Sequence, residues 1–188
     1  MLVAGVAIGL IVVVVAAAVL AYNRFVRQRS LIDNSWSNVD TELKRRYDLI
    51  PNLVEVVKGY ATHERGTLEA VAEARTQAMG STGSPEEQAR SENVLVSSLK
   101  SLLAVSEAYP DLEANTGFLD LQRQLTATED RIQAARRFYN GNVRDFNQRV
   151  QSVPTNLVAR FGHFTTRQYF QIDEAVERSA PQVSLGDS

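Results

Sequence analysis

His63-Glu64 is the one place where an imidazole and a carboxylate stand side by side, and a zinc hydrolase is the first chemistry to test. That chemistry needs a second histidine one helical turn on, so that two imidazoles face one metal. Position 67 is Thr67, and the other histidine, His163, lies far down the chain, so no metal site is expected. Glu64, Glu107, Glu129 and Asp130 are the carboxylates that acid/base catalysis would use. Helical bundles that do such work combine several Glu with Glu-x-x-His repeats, and none occurs here. Gly80-Ser81-Thr82-Gly83 lacks the lysine and the preceding strand of a phosphate-cradling loop, and no serine-nucleophile signature appears. With no cysteine in the chain, thiolate chemistry, disulfides and cysteine zinc sites are excluded. The expectation is no catalytic residue, no metal and no cofactor.

The elements that carry these residues explain more. Residues 1–21 hold no charge and consist mostly of Val, Ala, Leu and Ile, enough as a helix to reach about 31 Å and span a bilayer core. A cleaved signal peptide fits less well, because no Lys or Arg precedes the apolar run, the run is long for a signal core, and the charges follow it. Arg24, Arg27 and Arg29 sit just past its end, and the positive-inside bias puts such a cluster in the cytoplasm. Tyr22 and Phe25 are read with them as membrane-interface residues. The organisation expected is a transmembrane anchor over 1–22, a basic segment over 23–30, a helical bundle over 31–180 and a polar tail over 181–188. The N-terminus faces out, the bundle lies in the cytoplasm, and the location is the bacterial inner membrane. Of the 20 basic side chains three precede residue 31, leaving 17 against 22 acidic ones, which argues against nucleic acid as a partner.

Beyond the anchor the apolar residues keep a helical period. Trp36, Val39, Leu43, Ile50, Leu53, Val57, Tyr60, Leu68 and Val71 predict one long helix over 31–79, continuous with the span and kinked at Pro51. Ser84 and Pro85 start a second helix over 85–108, with Leu95, Leu99, Leu102 and Val105 inward, and Tyr109-Pro110 ends it. The third, 115–152, repeats Phe118, Leu125, Ile132, Tyr139 and Phe146 every seven residues, interlaced with Glu129, Arg136, Val143 and Val150. Val153-Pro154 closes it, and a short helix is expected within 157–170. The fold class is all-α: a transmembrane helix continuing into three long antiparallel helices plus a short fourth. Pro51, Asn52, Tyr109, Pro110, Asn115 and Pro154 are read as kink, cap and turn residues, as is Asn147.

The blocks Trp36-Ser37-Asn38-Val39, Asp48-Leu49-Ile50-Pro51-Asn52-Leu53-Val54, Lys58-Gly59-Tyr60-Ala61-Thr62-His63-Glu64 and Ala74-Arg75 carry a resemblance, as do those running from Glu107 to Asn115, Leu121 to Leu125, Glu129 to Ile132 and Arg136 to Asn140. In this order they resemble the LemA family of bacterial single-pass membrane proteins. The resemblance covers nearly the whole chain and implies a helical bundle, an N-out anchor, a cytoplasmic domain and a poorly defined biochemical role. A departure at Glu113, where a basic residue is more usual, falls in a turn.

Charges on the helical seams are the remaining signal. Arg46 and Glu64 fall on the seam of the first helix, Glu129 and Arg136 on that of the third, with Asn140 and Tyr139 beside them. Buried charge is costly unless paired, so these residues are expected to form interhelical ion pairs that fix register. The expected function is that of a membrane-anchored structural or interaction protein with the lipid bilayer, further copies of itself and other membrane proteins as partners. Gly5-x-x-x-Gly9 in the span permits the close helix approach that self-association needs. The alternatives are a sensor that transmits helix shifts through the first helix, and an enzyme using Glu64, Glu107 or Glu129.

Overall fold

The computed structural model describes residues 2–81 and 83–172. The first helix, α1 (Leu2–Tyr60), carries both the apolar span and one strut of the bundle without a break, a rod of about 89 Å. It is the one helix among the described residues long and apolar enough to cross a membrane. Its first 19 described residues are exposed; buried positions begin at Phe25 and recur through Val57.

The single helix expected over 31–79 is two helices. α1 ends at Tyr60, residues 61–64 turn, and α2 (Arg65–Gly80) folds back. Gly59 and Gly66 flank the turn, where helix is least favoured. The larger cause is tertiary: reversal buries Leu68, Val71, Ala74 and Ala78, a stripe that a straight continuation would leave in water. Ala61 is itself buried in the corner.

A capping box starts α3 (Pro85–Ser106): the Glu87 N–H donates to Ser84 Oγ and the Ser84 N–H to Glu87 Oε2. Tyr109-Pro110 does more than turn, since Pro110 opens the single-turn helix α4 (Pro110–Glu113). Asn115 then caps α5 (Thr116–Gln151), its Oδ1 accepting from the Phe118 N–H at 2.9 Å and its Nδ2 donating to the Tyr60 hydroxyl at 2.9 Å. Asn115→Ala removes both bonds, and the loss expected is about 1–2 kcal/mol in a denaturant titration of the full chain.

Helices α1 and α5 run antiparallel over most of the bundle. Their register reads from Tyr60 against Asn115, through Arg46 against Glu129 and Trp36 against Tyr139, to Phe25 against Phe146. The seven-residue series of α5, Phe118, Leu125, Ile132, Tyr139 and Phe146, is buried throughout. Burial of such side chains stabilises by about 1.5–3 kcal/mol each. The α2/α3 hairpin covers the far half of this pair.

The expected short helix is shorter still. α6 (Thr155–Phe161) follows the Val153-Pro154 peptide, which is cis, and stops at Gly162 and His163, whose φ of 53° turns the chain back. Gly162 is required there, because a Cβ would stand 2.5 Å from the Phe164 ring. Residues 164–172 are extended and lie along α1 and α5. The tail expected over 181–188, and the domain end at 180, lie outside the described residues.

Candidate functional site

Pro51 stands inside α1 with its ring exposed, and the helix continues through it. A proline has no N–H, so the carbonyl of Tyr47, four residues back, is left without its helical donor. Arg75 of α2 supplies the missing bond, its Nε donating to the Tyr47 carbonyl at 2.7 Å. The proline thus creates a docking point for the returning helix.

Around it lies a buried polar cluster. Arg46 is 0% exposed; its Nη1 donates to Glu129 Oε2 at 2.8 Å and its Nη2 bonds Glu92. Glu92, equally enclosed, also accepts from the Tyr47 hydroxyl and, at 2.7 Å, from Gln88 Nε2, which reaches the Ala78 carbonyl as well. One guanidinium therefore ties α1 to α3 and α5, and the glutamine ties α3 to α2. Only the Glu129 side chain, 34% exposed, gives the cluster access to water.

Burial, and next the charge of Glu92, pushes the Tyr47 hydroxyl well above the ordinary phenol range. The phenol therefore stays protonated and donates to the carboxylate. Because the folded state holds this proton more tightly than the unfolded chain does, its stabilisation is complete below about pH 10 and falls as pH rises further. Denaturant midpoints taken from pH 8 to 11 should show this loss, and Tyr47→Phe should flatten it.

The expected seam cluster divides in two. Arg46 and Glu129 meet as above. Glu64 joins neither part: it precedes α2, where its side chain makes no capping bond. Arg136 and Asn140 bond the extended segment. Arg136 Nη1 donates to the Ile172 carbonyl at 2.7 Å. Asn140 takes both backbone groups of Phe170, donating to its carbonyl at 2.8 Å and accepting from its N–H at 2.9 Å. Asn147 does the same for Arg167 at 2.8 and 2.7 Å. Seven helical residues rise about 10.5 Å and three extended residues about 10 Å, so two asparagines two turns apart match backbone groups three residues apart. The side chains of α5 thus act as a substitute strand. Tyr139 donates to the Gln168 carbonyl at 2.9 Å, and Trp36 packs on Phe170.

At the span end of the bundle Phe25 is buried, stacked on Phe164 and edge-on to Phe146, while Tyr22 leans on Phe164. Phe25 is thus buried in the bundle core, whereas Arg24, Arg27 and Arg29 are exposed. Asn52 is exposed on α1, and Pro154 precedes α6.

Glu92, Gln88 and Asn147 are the members sequence reasoning missed or misassigned. Glu92 carried a signal: positions 88, 92, 95, 99 and 102 continue one face, so a carboxylate there had to be buried. For Asn147 no local signal existed, because its partner is an extended segment twenty residues on.

The cluster joins four helices through buried ion pairs and hydrogen bonds, with Arg46 Nε alone of its guanidinium nitrogens left without a partner among the described residues. The sequence profile of the LemA family matches residues 35–185, a stretch that includes the cluster, the asparagine ladder and the extended segment.

The chain belongs to the LemA family.

Protein LemA of Metamycoplasma hominis is 26% identical over 156 residues, covering 83% of this chain and 71% of the relative. Magnetosome protein MamQ 2 of Paramagnetospirillum magneticum is 25% identical over 186 residues, covering 86% and 68%. Magnetosome protein MamQ of Magnetospirillum gryphiswaldense is 22% identical, covering 85% and 68%. None of these names is that of an enzyme. LemA-family membership and the apolar span of α1 make this a membrane-associated protein of undefined role.

Proposed function

We propose that this LemA-family chain is a structural interaction protein of the bacterial inner membrane, anchored by α1 with its N-terminus outside and its bundle in the cytoplasm, and working as a self-associated assembly. The observation that carries the reading is the continuity of α1: span and bundle strut are one helix, so the bundle is held rigidly to the membrane. Sealing of the polar cluster favours a structural role over catalysis, since no substrate reaches Glu92. Self-association has its surface in the span, where a side chain built at Gly5 or Gly9 meets nothing in the same chain.

Cysteines placed singly along residues 5–16 of the otherwise cysteine-free chain test this in native membranes. Disulfide dimers should form at helical spacing and disappear in a Gly5→Ile/Gly9→Ile background; a monomer at every position sinks self-association. A C-terminal fluorescent-protein fusion that stays dark, with an active alkaline phosphatase fusion, would overturn the orientation. The same continuous helix also supports a second reading, a sensor in which events at the bundle shift the span.

A further inference from the structure

The membrane-side end of the bundle overlaps the span instead of starting beyond it. A groove of about 320 Å³ is lined by Ala17, Leu20, Ala21, Arg24 and Phe25 of α1 together with Arg149 of α5 and Thr155 of α6. Residues 2–21 rise about 30 Å, the thickness of the hydrocarbon core. With that stretch in the core, Ala17 lies about 6 Å beneath its surface. The groove, and α6 beside it, are therefore at the level of the lipid headgroups and the first acyl carbons.

What α6 and the turn before it show to the outside fits that level. Val153, Leu157 and Phe161 follow one another at intervals of four residues and are 80%, 57% and 85% exposed. Ala159, by contrast, is buried, and Val158 packs on the core. An apolar ridge this exposed is expensive in water, and its continuity with a membrane span names its cover. Arg24, Arg149 and Arg160 supply the positive charge that interfacial elements place beside the apolar face. Thr155 Oγ1 is bonded to the Arg149 carbonyl at 2.7 Å, which fixes the start of α6 against the arginine. The Nε of Arg149 is buried and has no hydrogen-bond partner among the described residues.

We infer that α6 and the turn before it are a second membrane contact: Val153, Leu157 and Phe161 enter the acyl layer beside the span while Arg24 and Arg149 hold lipid phosphate at the groove. Interfacial helices seat about 5–10 Å into this boundary, the depth that the overlap with Ala17 requires. Arginine stems reach along apolar surface while their heads stay with the phosphates. The inference rests on the anchored reading above, and it goes further, because it fixes the bundle's tilt and rotation on the bilayer as well as its tether.

The test uses the full chain in vesicles of phosphatidylcholine and phosphatidylglycerol, with an environment-sensitive fluorophore on single cysteines. Val153→Cys, Leu157→Cys and Phe161→Cys should be quenched by nitroxides on upper acyl carbons and protected from aqueous iodide. Leu119→Cys, at the far end of α5, should behave in the opposite way, and Val12→Cys reports the span. Ridge labels open to iodide beside a lipid-buried Val12 label overturn this inference alone. A Val12 label in water overturns the anchored reading and this one with it. Ridge labels shielded from iodide yet beyond reach of the nitroxide lipids would mean a protein cover, such as a second copy, and overturn it too. Spin-labelled phosphatidylglycerol should be enriched around the protein and lose about fivefold per arginine removed in Arg24→Gln and Arg149→Gln; unchanged enrichment overturns the phosphate contact.

Discussion

Arg46→Ala should be the most damaging single substitution in the bundle, lowering the stability of the full chain by about 3–5 kcal/mol. The change leaves Glu92 fully enclosed without its cation, and a buried unpaired carboxylate costs far more than the contact that was lost. Glu129→Ala should cost less, on the order of 1 kcal/mol, because that carboxylate is partly in water and its removal leaves Arg46 still paired with Glu92. The discriminating variant is Arg46→Met combined with Glu92→Leu. If the cluster serves register and not stability, removing both charges together should recover most of the loss, as apolar replacements of buried pairs often do. Chemical denaturation followed by circular dichroism in detergent gives the three values. A single Arg46→Ala that melts with the parent chain would refute the description of the cluster.

Release of the extended segment should have the second largest effect. Asn140 and Asn147 together make four bonds to the backbone of Phe170 and Arg167. Truncating one leaves a half-buried N–H and carbonyl without partners, at about 1–3 kcal/mol for each unsatisfied group. Asn140→Ala with Asn147→Ala should therefore free residues 164–172 from α5 while the helices stay formed. Hydrogen exchange reads this directly: the amides of Arg167 and Phe170 should lose protection by about two orders of magnitude or more, and that of Val143 in the α5 interior should keep it. Protection retained at both would show that Phe164 and Phe170, packed on Phe25 and Trp36, hold the segment without the asparagines. A matched comparison is Arg75→Gln, which strands the Tyr47 carbonyl made available by Pro51; its cost should be smaller, about 1–2 kcal/mol, and confined to the α1–α2 contact.

Some of this was legible in the residues alone. The apolar run before Arg24, the sevens of α5 and the caps at Ser84 and Asn115 are local signals, because each depends on residues within one or two turns. Arg46 and Glu129 could be marked as partners because a charge on an apolar seam must find an opposite charge across it. Arg136 and Asn140 were marked on the same grounds, and each bonds a backbone carbonyl of the extended segment, a contact the periodicity does not announce. Glu64 stands on the helical period of the first stretch, but the chain has already turned before it.

The sequence by itself determined the helical class, the apolar span, the starts of α3 and α5 and the existence of buried charge, since periodicity and capping act over a few residues and survive without a partner surface. Tertiary structure decided where the first helix ends, which carboxylate completes the Arg46 cluster, and that residues 164–172 are extended and not helical. Each of these choices turns on burial against a distant element: the stripe of α2 needs α1 beneath it, Glu92 needs Tyr47 and Arg46, and the segment after His163 finds on the asparagines of α5 the hydrogen bonds that a helix would otherwise provide.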